Sequence, residues 1–242
     1  IEERLDNPDG IYGEEDRETL QKDLEKKVDE TYDERIKQSL YNLKENQDNF
    51  LSPEGLKIYS PKYLEMLKTV SSPENKGLHL VYSQLRTLEG IGIFALVLEA
   101  NGFTKFKIKK SPNGEWNINI SPEDRGKPTY AFYTGTETPE EKEIIRNIFN
   151  SDWKFVPQEL QTQIKEISSN NHYGEIIKVL MITSSGAEGI SLKNVRYVHI
   201  MEPYWHPVRI EQVIGRARRI CSHNSLEEHE KTVEVFLYLM EF

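Results

Sequence analysis

Ile176-Ile177-Lys178-Val179-Leu180-Met181-Ile182 is the most strand-like stretch of this 242-residue chain, and the residues around it decide the fold. A short apolar run bounded by polar residues is the pattern of a strand buried on both faces, as in a parallel sheet. It runs into a loop rich in glycine and hydroxyls, Thr183-Ser184-Ser185-Gly186-Ala187-Glu188-Gly189-Ile190-Ser191. A second buried strand is predicted over Val195 to Met201, and a helix from about Pro207 to Ile220. Reading backward, a helix over Pro139 to Phe149 follows a strand over Tyr130 to Tyr133. A helix over Leu88 to Ala100, closed by Asn101-Gly102, follows a strand over Leu78 to Tyr82. Strands alternating with helices predict an α/β fold, a doubly wound parallel sheet flanked by helices, with ligands beyond the carboxyl ends of the strands.

Two stretches interrupt the alternation. Residues 105 to 120 read as a small inserted hairpin turning at Pro112-Asn113-Gly114, and the polar residues 151 to 175 as an inserted loop or helix. Val233 to Tyr238 reads as a last buried strand with nothing after it, as if the chain were excised from something longer. Near the other end, Ser60-Pro61 has the serine cap and first-turn proline of a short helix reaching about Ser71, after a turn at Ser52, Pro53 and Gly55. From Arg17 to Asn46, apolar residues recur every three or four positions in a charged background, which predicts one long amphipathic helix.

The formal net charge of −9 argues against a basic coat. Its distribution matters more. Residues 1 to 50 hold 16 Asp and Glu against 8 Lys and Arg, a net of −8, which leaves 24 against 23 for the remainder. Any nucleic-acid site must therefore be local, and residues 1 to 55 read as an acidic helical arm. The single cysteine, Cys221, excludes an internal disulfide framework and fits an intracellular setting. No run approaches eighteen apolar residues, so no membrane role is expected.

The densest chemistry lies in Gln212-Val213-Ile214-Gly215-Arg216-Ala217-Arg218-Arg219. On a helix Arg216 and Arg219, three apart, share a face, and two guanidiniums there can fork onto phosphate oxygens. Gly215 allows a backbone or ligand close approach. The loop from Thr183 to Ser191 stands where an open α/β sheet holds phosphates, with backbone N–H groups exposed by small side chains.

A strand, this loop, a second strand, Glu202-Pro203-Tyr204-Trp205-His206-Pro207 and then Gln-x-x-Gly-Arg-Ala-x-Arg is a specific order. It resembles the C-terminal, second RecA-like lobe of superfamily 2 helicases, with their motif V in the loop and motif VI in the arginine helix. Val81-Tyr82-Ser83 looks like motif IV. Tyr133-x-Gly135 and the helix ending at Phe149-Asn150 resemble the stretch before motif V, where Lys142 stands in place of a frequent arginine. Trp205-His206-Pro207 is similar to the Trp-Asn-Pro of the Swi/Snf-like branch. The wording of Glu188 to Ser191, of Gln212 to Arg219 and of Ser222-His223 resembles the helicases and transcription-associated nucleoside triphosphatases of large DNA viruses.

The resemblance covers roughly residues 56 to 242, and residues 1 to 55 would then be an arm or interlobe linker. It implies an ATP-dependent helicase or translocase in which Arg216 and Arg219 are arginine fingers. Gln212, Ser191, Gly189 and Glu188 would line the nucleotide site, although Glu188 stands where DEAD-box relatives often have arginine. Ser83, Lys142, Thr183, Ser184 and Gly186 would meet the backbone of DNA or RNA. Implied partners are an N-terminal RecA-like lobe, the nucleic acid, and the transcription machinery of a virus acting in the virion or host cytoplasm.

The phosphate loop Gly-x-x-x-x-Gly-Lys-Ser/Thr is missing. Gly126-Lys127-Pro128-Thr129 mimics it, with Ser121 and Pro128 in the wrong places, and no Asp-Glu-x-Asp or Asp-Glu-x-His occurs. ATP and Mg2+ would be held mainly by the other lobe, and this chain alone would not hydrolyse ATP. His199, His206 and His223 fall on a strand, a loop and a helix end, which speaks against zinc. The alternative is a catalytically silent RecA-like scaffold in a viral transcription complex.

Overall fold

The computed structural model describes residues 34–85, 90–184, 189–202 and 207–239. It has two compact units, residues 1–42 and 43–242. The second unit begins well before residue 56: Leu51 is buried in its core, and its carbonyl accepts a hydrogen bond from Asn101 Nδ2 (2.8 Å). Of the long helix predicted from Arg17, residues 34–45 are helical, and residues before 34 lie outside the described ones. After a turn at Asn46 come α1 (Gln47–Phe50), α2 (Pro53–Tyr59) and α3 (Pro61–Ser71). The expected turn at residues 52 to 55 is thus the start of a helix. Ser52 accepts from the Gly55 N–H (3.2 Å) with Pro53 in the first turn, whereas the Ser60 side chain caps nothing.

One six-stranded sheet organises the large unit, in the order β2 (Thr104–Lys105), β5 (Thr129–Tyr133), β6 (Val179–Ile182), β1 (Leu78–Tyr82), β7 (Val195–Ile200), β8 (Glu234–Leu237). Every pairing in it is parallel. β1 and β6 are buried along their whole length because helices cover both faces, which is why their sequences read as unbroken apolar runs. Leu80, Leu180 and Ile182 point to the face covered by α5 (Pro139–Phe149), α6 (Gln158–Lys165) and α7 (Pro207–Ala217). Val81, Val179 and Met181 point to the face covered by α1 to α3 and α4 (Ile91–Ala100). The sheet is doubly wound, with helices on both faces, as the alternation of strands and helices in the sequence predicts. β6 lies on one side of β1 and β7 on the other, so the connection from residue 183 to 194 crosses the sheet at β1, its topological switch point.

The hairpin is β3 (Ile108–Lys110) and β4 (Trp116–Ile118), turning through Gly114 at φ 88. Residues 151–175 carry α6, which completes the hairpin's free edge with side chains. Glu159 accepts from the Trp116 N–H (3.2 Å) and Gln163 from the Ile118 N–H (2.9 Å). The two interruptions seen in the sequence are therefore one structural unit.

Two expectations need correction. β8 is an edge strand with Val235 and Leu237 exposed, not a buried one. The arginine helix stops at Ala217, so Arg218 and Arg219 lie past its end.

Candidate functional site

Strand register sets the row of residues at the carboxyl edge. Tyr133 pairs with Ile182, and Ile182 with Tyr82, so Thr134, Thr183 and Ser83, each one residue beyond, line up on neighbouring strands. Ser184 follows, exposed, and Lys142 stands in the second turn of α5 with Nζ 5.7 Å from the Tyr133 ring centre. The residues predicted for nucleic acid thus share one edge, except Gly186, which lies outside the described residues. Ser83 and Thr183 are nevertheless buried. The Ser83 hydroxyl donates to the Glu202 carboxylate (2.9 Å) and accepts from the Leu85 N–H (2.9 Å). The Gln84 N–H also donates to Glu202 (3.2 Å). Ser83 ties the exit of β1 to the exit of β7, with its hydroxyl engaged inside the lobe. Gly90 belongs to this lock, since a Cβ there would meet the Leu85 carbonyl oxygen at 1.6 Å.

On α7, Val213 and Ala217 are buried, with Ile210 and Ile214 packed beside them, which turns the remaining positions outward. Gln212 and Arg216, four apart, share that outward face; Gln212 is exposed and Arg216 half-buried. Arg219 is exposed beyond the helix end, so the shared helical face predicted for Arg216 and Arg219 is replaced by one for Gln212 and Arg216. Among the described residues, none forms an ion pair with Arg216, Arg218 or Arg219. Nor does any group among the described residues crowd Gly215, where a Cβ would find nothing within 4 Å.

The glycine-rich loop joins this helix through its far end. The Leu192 N–H donates to the Arg216 carbonyl (3.2 Å), and Ile190 and Leu192 enter the core that takes Val213 and Ala217. Gly189 turns with φ 73, and Ser191 is half-buried; Glu188, Trp205 and His206 lie outside the described residues. Sequence reasoning missed the clamps. Buried Asn150, which caps α5, donates through Nδ2 to the Ser191 carbonyl (2.9 Å) and accepts the Lys193 N–H at Oδ1 (2.9 Å). Ser222 Oγ donates to the Ala217 carbonyl (3.1 Å), and the Ser222 carbonyl accepts the Asn194 N–H (2.9 Å). His223 Nε2 bonds the Val195 carbonyl at 2.7 Å. The signal for these was the wording of Phe149-Asn150 and Ser222-His223 already noted, read for resemblance and not for hydrogen-bonding capacity.

His199 is also spoken for. Its Nε2 meets His79 Nδ1 at 3.0 Å and its Nδ1 meets the Tyr238 hydroxyl at 2.8 Å, inside a stack with Phe236. Burial pushes the His199 pKa down to about 3. Burial first, then the charges of His199 and Lys178, hold His79 well below the ordinary histidine range. Among the described residues, no cluster of three His, Cys, Asp or Glu side chains could hold a metal. A cavity of about 480 Å³ lies between the hairpin, α6 and Gly126-Lys127. Thr129 and Ile176 put it at the amino ends of β5 and β6, on the opposite edge from the residues above. Lys127 there is paired with Asp124 (2.6 Å).

Comparison with known proteins adds sequence kinship. The helicase conserved C-terminal domain matches residues 118–221. A protein of Acanthamoeba polyphaga mimivirus, named as an ATP-dependent RNA helicase, is 36% identical over 196 residues, covering 79% of this chain and 28% of that protein. A termination factor NPH-I homolog of African swine fever virus is 32% identical over 190 residues, covering 74% of this chain and 26% of that protein. The chain thus spans about a quarter of the length of these relatives. Among solved structures, the C-terminal part of the Fun30 ATPase domain aligns at 14% identity with a TM-score of 0.44, covering 81% of this chain and 49% of that one.

Proposed function

We propose that this chain, whose residues 118–221 match the helicase conserved C-terminal domain, is the second lobe of an ATP-dependent helicase or nucleic-acid translocase. It supplies arginine fingers to ATP hydrolysis and part of the track for the nucleic-acid backbone. The observation that carries this reading is a pair of features: Gln212 and Arg216 on the outward face of α7, with exposed Arg219 just past its end and no acidic partner for either arginine among the described residues, and a carboxyl edge offering Ser184 and Lys142. Free guanidiniums fit a partner that brings negative charge, as the triphosphate held by the first lobe would. Gln212, with Gly189, Ser191 and Glu188, lines the nucleotide side. The lobe's donor set suits phosphate; Mg2+ is held mainly by the first lobe, together with the lysine of the missing phosphate loop. Contacts to phosphate through hydroxyls, backbone donors and one lysine give binding that tolerates any base sequence. One relative is named a termination factor, which favours transcription machinery as a further partner.

Substitution in the two-lobed enzyme tests both halves. An arginine finger is worth roughly three to five orders of magnitude in other nucleotide hydrolases. Arg216→Ala and Arg219→Ala should each lower kcat by about a hundredfold or more with the fold intact. A kcat within about threefold of the parent for both variants refutes the finger assignment. Ser184→Glu puts a negative charge on the phosphate path and should weaken binding, while deletion of residues 1 to 16 should not. Parent-like binding by Ser184→Glu together with loss of binding in the deletion would move the track to the acidic arm.

A further inference from the structure

The loop leaving β5 holds a carboxylate in a nest of donors. Thr134 is buried, and its N–H and its hydroxyl both donate to Glu137 Oε2 at 2.8 Å. The Thr136 hydroxyl donates to Glu137 Oε1 at 3.1 Å. Lys105 on neighbouring β2 places its Nζ over the Phe132 ring, 4.4 Å from its centre, and interacts electrostatically with Glu137. Burial alone would raise the Glu137 pKa, but the hydrogen bonds from Thr134 and Thr136 outweigh it and hold the carboxyl below its ordinary range. A backbone N–H, two hydroxyls and a nearby ammonium are what a phosphate oxygen needs. Here they are occupied by an anion of the chain itself.

The usual task of such a carboxylate, capping the next helix, is already done by other groups. Thr138 accepts from the Glu141 N–H (3.2 Å) and Glu141 from the Thr138 N–H (3.0 Å), a complete capping box for α5. Glu137 is therefore dispensable to the helix, and it is only half-buried. Its position gives it another use. Thr134 stands beside Thr183 through the Tyr133–Ile182 pairing, one residue from exposed Ser184.

We propose that this nest is a phosphate site on the nucleic-acid path and that Glu137 occupies it as an internal competitor, swinging out when a backbone phosphate enters. The proposal rests on the track assigned above. The competitor makes binding weaker than the donors allow, so the lobe releases each phosphate readily, as stepwise movement along a strand requires.

The test uses the full-length two-lobed enzyme, with affinity for a short single strand and a short duplex measured across a salt series. Glu137→Gln and Glu137→Ala should both bind about three- to fivefold more tightly than the parent at low salt, the scale of an exposed charge interaction. Adding Thr136→Val to Glu137→Gln should abolish the gain, because a donor is lost once the competitor is gone. Unchanged or weaker binding in both single variants overturns the proposal, as does a gain that survives Thr136→Val. Ser184→Glu separates the two layers: weaker binding there with no gain at Glu137 leaves the track standing and removes only the competitor. A gain at Glu137 with parent-like Ser184→Glu supports the nest and takes Ser184 off the path.

Discussion

Acidification should unfold this lobe through its central histidines before its carboxylates titrate. His199 is neutral in the folded state, with a pKa of about 3, and in the unfolded chain it returns to about 6.5. Above that value both states are neutral and the histidine has no effect on stability. Below it the unfolded chain binds a proton that the folded lobe refuses, so stability falls with pH until the folded pKa is reached. At about pH 5, some 1.5 units below the unfolded value, the loss is about 2 kcal/mol for His199. His79 adds in the same direction, since burial lowers its pKa as well. Glu137, Glu140 and Glu230, whose pKa values are depressed, lose stabilisation only as pH falls below the ordinary carboxylate range, so their effect begins lower. Urea unfolding at about pH 7.5 and pH 5 measures the difference, with His199→Gln as the non-titrating comparison. The variant starts less stable, having lost the contact with His79 or Tyr238, but its drop between the two pH values should be smaller by about 2 kcal/mol. Equal drops in parent and variant, or a flat parent, would refute the account.

Asn150→Ala removes two hydrogen bonds to the backbone at Ser191 and Lys193 and should cost about 1–3 kcal/mol in thermal or urea unfolding. In the two-lobed enzyme it should also raise KM for ATP, since it frees the loop that meets Arg216; destabilisation with unchanged KM would separate the clamp from the nucleotide site. The 242-residue chain alone should show no steady ATP turnover, and sustained phosphate release by the purified chain would overturn the assignment of the phosphate loop and magnesium ligands to another lobe.

The parallel sheet was legible because burial on both faces leaves apolar runs such as Ile176 to Ile182 and Leu78 to Tyr82 that admit few other readings. Pro139 to Phe149 was legible to the residue, since Thr138, Pro139 and Glu141 spell its start and Asn150 follows its end. The arginine helix was overextended: no proline or glycine marks its end after Ala217, and the chain leaves it through bonds from Ser222 that depend on tertiary structure. The engagement of Ser83 with Glu202 was missed for a related reason. A serine after a strand reads as an exposed hydroxyl, and only the fold brings Glu202 from 119 positions away to engage it. The partnership of hairpin and α6 was likewise invisible, because Glu159 and Gln163 have the composition of any solvated helix face.

The sheet is finished on one side and unfinished on the other. β2 is two residues long and gives little edge to pair with, whereas β8 runs for four and, among the described residues, has β7 on one flank only. Its outer N–H and C=O groups, beside exposed Val235 and Leu237, are a template for another strand. Glu234 is the one charge along it. Purified at high concentration, the lobe should be limited less by unfolding than by solubility, with self-association that grows with protein concentration, and a lysine in place of Val235 should raise that ceiling without touching the core.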